Sequence, residues 1–286
     1  MLQNLATLLS PWTWMLGLFA FCFVLGVFAV LAGVGGGVLF VPLVGALFPF
    51  HIDYVRGAGL LVALSGSIAA APRLIREGYA NLSLALPLAL IASGGSIIGA
   101  VVGLAVDRGA LEVLLGILIL LTVGLLLVPR RATSGALEES QGIARYLKIG
   151  GELSTEGGET TSWGVHRLSW GFGAFVITGF IGGLFGLGVG WANVPLLALL
   201  LGAPIKVAIA TSVLIITINS SAAVWVYLLQ GGVMPVLVIP AILGMMLGTR
   251  LGSRFVHGAS PSVLKAIVVA VLAFAGVRSI MSGVSL

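Results

Sequence analysis

Charge is scarce in this chain. Only 8% of its 286 residues are Asp, Glu, Lys or Arg, against about a quarter in a typical soluble domain. Cysteine occurs once, as Cys22 in an apolar run, which excludes an internal disulfide, a CxxC redox pair and any multi-cysteine metal site. There is no HExxH, no His or Cys pair at ligand spacing and no GxxxxGK[ST] phosphate loop, so neither an intramembrane enzyme nor a self-energised pump is indicated. No cofactor-binding pattern is present. No Asp, Glu or His falls mid-way along an apolar segment: Asp53, Glu77, Asp107, Glu112, His51 and His257 all lie near segment ends. A carboxylate or histidine proton relay across a bilayer therefore lacks its residues. Met1–Met15 contains no Lys or Arg, so the first apolar run lacks the charged start of a cleavable leader and is read as retained.

What remains is apolar. Hydrophobic residues make up 59% and mean hydropathy is +1.20, more than a soluble core requires. Apolar segments run over 14–32, 36–50, 54–72, 81–106 and 110–128, then 168–185, 189–202, 205–229, 233–252 and 261–281. Several reach the 18 or more residues that cross a bilayer. The expected fold is an all-α polytopic protein of the cell membrane. Its parts are a first membrane repeat over 1–128, a polar cytoplasmic linker over 129–167 and a second membrane repeat over 168–286. The linker has too few apolar residues for a core and is expected to be mobile, with a short surface helix over 142–149. The net charge of +5 is what lysine- and arginine-rich cytoplasmic loops supply, and it points to no nucleic-acid partner.

Two glycine runs organise the chain. Gly33-Val34-Gly35-Gly36-Gly37 precedes Pro42, and Gly186-Leu187-Gly188-Val189-Gly190 precedes Pro195, at an offset of 153. The same offset pairs Gly78 with Gly231, Pro87 with Pro240, Gly95 with Gly248 and Gly99 with Gly252. Such agreement predicts an internal duplication. Paired glycine breaks in membrane segments point to a binding site between the repeats, because glycine lets backbone leave the helix and approach a ligand.

Parity decides the relation of the halves. If 14–50 is one kinked span, the halves share an orientation and Lys and Arg divide eight to six between the two faces. If it is a hairpin entering and leaving on one side, the halves are inverted and the division becomes eleven to three, with the linker side rich. The strong bias is what the positive-inside rule favours. A helix over 36–50 would also be only about 22 Å long. Inverted repeats are expected, each a glycine-broken short hairpin or helix followed by three transmembrane helices, with both termini outside.

The stretch Gly33 to Leu43 resembles the first signature of the TauE/SafE family of sulfite exporters, and Gly186 to Leu197 resembles its second copy. Ala210-Thr211-Ser212-Val213 and Gly244 to Arg254 are similar to two further segments of that family. The resemblance covers both repeats and omits the linker. It implies secondary export of sulfite, sulfonates or related organosulfur anions. The first half departs from the pattern, with Gly57-Ala58-Gly59-Leu60 where Thr-Ser is often found, so the site is expected to be asymmetric.

An anion site is physically compatible with these residues. Helices starting after Gly37 and Gly190 would turn unsatisfied N–H groups toward the breaks. Candidate binding residues are Gly35, Gly36, Gly37, Gly188, Gly190, Asn193, Thr211, Ser212 and Asn219, with Ser220 beside it. For each hydroxyl the competing reading is a bond to a carbonyl of its own helix. Asn193 is the best single candidate, since an amide is costly to leave unpaired in lipid. Arg250 stands four residues before Arg254 on one helix face, either as a cationic vestibule or as a headgroup anchor. Lys206 and Arg56 read as anchors, and Trp12, Trp14, Trp163, Trp170 and Tyr227 as interfacial aromatics. The expected partners are a small anion and membrane lipid, with proton or sodium coupling and a homodimer left open. An anion channel or facilitative pore, or a carrier for a different small anion, stands as the alternative.

Overall fold

The computed structural model describes residues 11–32, 36–48, 50–127, 149–154, 160–255 and 261–284. The first half contains α1 (Pro11–Ala32), α2 (Gly36–Leu47), α3 (Ile52–Arg76), α4 (Leu82–Ala105) and α5 (Arg108–Leu127). A two-stranded antiparallel hairpin of β1 (Gly150–Ser154) and β2 (Thr160–Gly164) follows. The second half contains α6 (Leu168–Phe185), α7 (Gly190–Pro195) with a π-helical turn over Leu196–Leu200, α8 (Ile205–Leu229), α9 (Pro235–Phe255) and α10 (Pro261–Val284). Among the described residues, five helices are long and apolar enough to cross a membrane: Ile52–Arg76, Leu82–Ala105, Leu168–Phe185, Ile205–Leu229 and Pro235–Gly252.

Helix boundaries recur at the offset seen in the sequence. α3 and α8 begin at 52 and 205, α4 and α9 at 82 and 235, α5 and α10 at 108 and 261, each 153 apart. Gly78 and Gly231 end α3 and α8 in the same way, with φ of +72° and +70°. Their N–H groups bond Ile75 O at 3.1 Å and Leu228 O at 3.2 Å. Glycine is required there because left-handed backbone strains any residue bearing a Cβ.

Small residues let the halves interlock. A Cβ added at Gly95 would fall on the carbonyl of Val176, and at Gly99 on that of Phe180; at Gly248 and Gly252 it would meet the backbone of Phe23 and Val27. Val176 and Phe180 are themselves 153 residues beyond Phe23 and Val27. Thus α4 lies parallel and close against α6, and α9 against α1, each half lending its glycine face to the other's first helix. This is the small-residue packing that association in lipid favours, where backbone contact replaces a hydrophobic driving force.

Corresponding helices run in opposite directions. The Thr217 hydroxyl donates to Ser67 Oγ at 2.9 Å, Gly57 lies against Gly232, and Asn81 N–H reaches Thr211 Oγ1 at 3.2 Å, so α3 and α8 are antiparallel. Gly116 against Gly276 and Ile280, with Gly283 against Gly109, makes α5 and α10 antiparallel as well. Both glycine-broken elements are hairpins. The ring of Phe48, after α2, lies 6.1 Å from that of Trp14 near the start of α1. Gly171 near the start of α6 meets Leu201, and His166 N–H bonds Leu201 O at 3.1 Å. The second hairpin enters from the linker end of the bundle, the first from the opposite end. A single kinked span over 14–50 is incompatible with these contacts.

The described part of the linker packs on the bundle. Ile149 and Val165, flanking the strands, are 1% and 0% exposed and pack with Leu168, Leu197 and Leu201. The Asn81 amide donates to Gly150 O at 3.0 Å. Trp163 on β2 packs against the same cluster, and these contacts seat the strands on the bundle, a tertiary effect that low hydrophobicity over 129–167 hides. Residues 142–148, expected to be helical, lie outside the described residues.

Candidate functional site

The two glycine breaks meet in the middle of the bundle. A Cβ on Gly37, at the start of α2, would fall on the carbonyl of Leu187 and lie 3.0 Å from Ala63 Cβ. One on Gly188, where φ is +66°, would lie 3.3 Å from Ala63 Cβ and 3.4 Å from Ser220 Oγ. Gly36 faces the thioether of Met245. Ala63 is next to the midpoint of α3, Ile216 and Ser220 straddle that of α8, and Met245 is the central residue of α9. These helices are about 30–37 Å long, so their midpoints mark the centre of a span. Gly33, Val34 and Gly35 lie outside the described residues, so the candidate Gly35 is not placed.

Around this centre the second half carries the side-chain amides. Asn193 on α7, and Asn219 and Ser220 on α8, are each 0% exposed. Neither atom of either amide, nor the Ser220 hydroxyl, has a hydrogen-bond partner among the described residues. An unpaired buried polar group costs about 1–3 kcal/mol, and five such atoms fall on these two neighbouring elements, half of the ten found among the described residues. Gly190 opens α7 and is buried with them. In the first half the position equivalent to Asn193 is Phe40, wholly buried and apolar. The site is asymmetric.

Other candidates take different places. Thr211 is fully buried, but its oxygen accepts the Asn81 N–H, which ties α8 to the α3–α4 turn. Ser212 is 3% exposed on the buried face of α8. Arg250 is exposed near the C-terminal end of α9, away from the centre. Lys206 sits with its ammonium 5.6 Å from the Tyr79 ring centroid at the linker end.

Gly57 and Gly59, in the stretch that departs from the Thr-Ser pattern, are explained by contact. A Cβ on Gly59 would fall on Gly186 O and Val41, and one on Gly57 on Gly232 O. The tip of the second hairpin at Gly59, and the turn after α8 at Gly57, occupy the space that side chains would need.

Arg56 and Tyr227 overturn the reading of both as interfacial groups. Each is 0% exposed. Arg56 Nη1 donates to Asp53 Oδ1 at 2.8 Å and to Gly103 O at 3.1 Å, and its guanidinium lies 5.4 Å from the Tyr227 ring centroid. Tyr227 in turn donates to Gly183 O at 2.9 Å. One cation thus ties α3 to the end of α4 and, through Tyr227, to the end of α6 beside the second break. A position four residues into α3 gave no sign of this, because burial there comes from the hairpin tip of the other half. Arg56→Ala is expected to lower stability by about 3 kcal/mol, the lower range for breaking a buried ion pair, since Asp53 keeps partial contact with solvent. Arg56→Lys should recover only part of it, an ammonium being unable to reproduce the planar fork. Thermal unfolding of the purified variants checks both.

Long apolar helices and hairpins broken at glycine define a polytopic membrane protein. Residues 18–279 match the family described as Sulfite exporter TauE/SafE, and the chain belongs to that family. It is 27% identical over 266 residues to "Probable membrane transporter protein YunE" of Bacillus subtilis (strain 168), spanning 91% of this chain and 94% of that one. No solved structure matches. The chain is a multi-pass membrane transporter, not an enzyme.

Proposed function

We propose that the chain exports sulfite or a related organosulfur anion, held where the two glycine breaks meet, and that its halves are inverted repeats of one duplicated unit. The observation that carries this reading is the set of five unpartnered buried polar atoms on Asn193, Asn219 and Ser220, beside backbone that approaches without Cβ atoms. Amide and hydroxyl donors with glycine backbone can bind an oxyanion while placing no fixed cation at mid-membrane, where charge is expensive. The antiparallel equivalent helices support inversion, and hairpins entering from opposite ends offer the two halves of an alternating-access carrier. A proton, if coupled, would travel on the substrate as its protonated form, since the centre carries no carboxylate or imidazole among the described residues. Counterflow in proteoliposomes tests the function. Internal unlabelled sulfite should drive saturable uptake of labelled sulfite, and an imposed proton or sodium gradient that alters the rate identifies the coupling ion. Ohmic, non-saturating anion currents would instead support a channel.

A further inference from the structure

A second feature lies away from the centre. A cavity of about 490 Å³ opens between the C-terminal half of α2, the start of α3, the start of α5 and the end of α10. All four lie at the end of the bundle opposite the linker strands. Its wall is apolar at Val41, Phe48 and Leu115 and charged at Arg108, Glu112 and Arg278. Glu112 is 7% exposed, and its Oε1 accepts from Arg108 Nε at 3.0 Å. Its Oε2 is buried with no hydrogen-bond partner among the described residues. Nothing in the central site uses this carboxylate.

Three features fix the class of ligand. The volume is that of pockets for organic molecules, which run about 300–1,000 Å³, far more than a few-atom inorganic ion fills. Two guanidinium groups against one carboxylate favour an anionic head. The orphaned Oε2 is an acceptor in an otherwise desolvated position, so it calls for a donor, and an ammonium answers it best. We infer that this cavity is a recognition site for an aminoalkyl organic anion, with its acidic head toward Arg108 and Arg278, its carbon chain on the apolar wall and its ammonium on Glu112 Oε2. The site stands close to the central one: Val41 on the cavity wall is four residues, about 6 Å, along α2 from Gly37. The inference rests on the reading of the chain as an anion carrier.

The test uses the full chain in nanodiscs of phosphatidylglycerol, which carries no amine, and compares 3-aminopropanesulfonate with propanesulfonate by calorimetry. The wild type should bind the amino compound at least tenfold more tightly, as a charge-assisted bond of about 1.5 kcal/mol implies. Glu112→Gln keeps the acceptor that Arg108 uses and should erase the difference; Arg278→Gln, at an exposed position, should weaken both ligands by a similar factor. Equal affinity for the pair, no binding of either, or a preference that survives Glu112→Gln overturns the proposal. So does loss of binding on adding phosphatidylethanolamine, which would make the cavity a lipid-headgroup site. Sulfite counterflow with the same purified protein in proteoliposomes keeps the two readings apart. A ligand preference without sulfite exchange removes the central assignment alone, and exchange without the preference removes this one.

Discussion

Asn193→Ala is expected to reduce sulfite exchange ten- to a hundredfold while leaving the thermal midpoint unchanged or raised. The two effects separate because the native amide makes no hydrogen bond within the protein among the described residues. Deleting it removes two buried unpaired polar atoms, each a liability of about 1–3 kcal/mol in the ligand-free protein, which offsets the small space left behind. Its absence is felt when an oxyanion arrives. A hydrogen bond to a charged group contributes about 1.5–3 kcal/mol, or roughly ten- to a hundredfold in affinity. Asn219→Ala should behave in the same way. A fall in midpoint that matches the loss of exchange would show instead that these amides hold the fold. The contrast with Thr211 sharpens the test, because that side chain already accepts the Asn81 N–H and its removal should cost stability first.

Gly186→Ala is expected to abolish transport and destabilise the protein by about 3 kcal/mol or more. Two costs combine at this position. Its φ of +69° is left-handed, which costs a residue with a Cβ about 1–2 kcal/mol. The added methyl would also fall on the backbone of Arg56, and backbone cannot rotate aside as a flexible side chain can, so overpacking adds about 1–3 kcal/mol. The tip of the second hairpin would be forced off α3, separating Leu187 from Gly37. Gly78→Ala is the control. It has a similar φ of +72° but nothing within 4 Å of the added methyl, so it should lose only the conformational share. Equal midpoints for the two variants would mean that the contact between the hairpin tip and α3 carries no weight.

Much of this architecture was legible in the sequence because it is local or periodic. Helix spans follow from apolar length, and the pairs Gly78–Gly231 and Gly95–Gly248 mark a helix stop and a close crossing that only glycine permits. The bias of Lys and Arg pointed to hairpins rather than a kinked span, and Phe48 beside Trp14 and Leu201 beside Gly171 show both hairpins directly. The candidates Gly36, Gly37, Gly188 and Gly190 come together with Asn193, Asn219 and Ser220 at the bundle centre, or on the elements that meet there. What sequence reasoning missed is long-range. Arg56 and Tyr227 looked interfacial because they stand near helix ends, yet a hairpin from the other half covers them. Glu112 was placed only near a segment end, but α10 packs against α5 around it, with Ser279 Oγ bonding its carbonyl at 2.7 Å. The strand pair in the linker depended on docking partners that composition does not reveal.

The central claim is that a sulfur oxyanion is held by the amides and glycine backbone at mid-bundle. Counterflow of labelled sulfite, run side by side on wild type, Asn193→Ala and Asn219→Ala at matched protein incorporation, tests it most directly. Saturable exchange by the wild type, with at least a tenfold loss in both folded variants, is the predicted result. Exchange by the variants at the wild-type rate and half-saturation would contradict it.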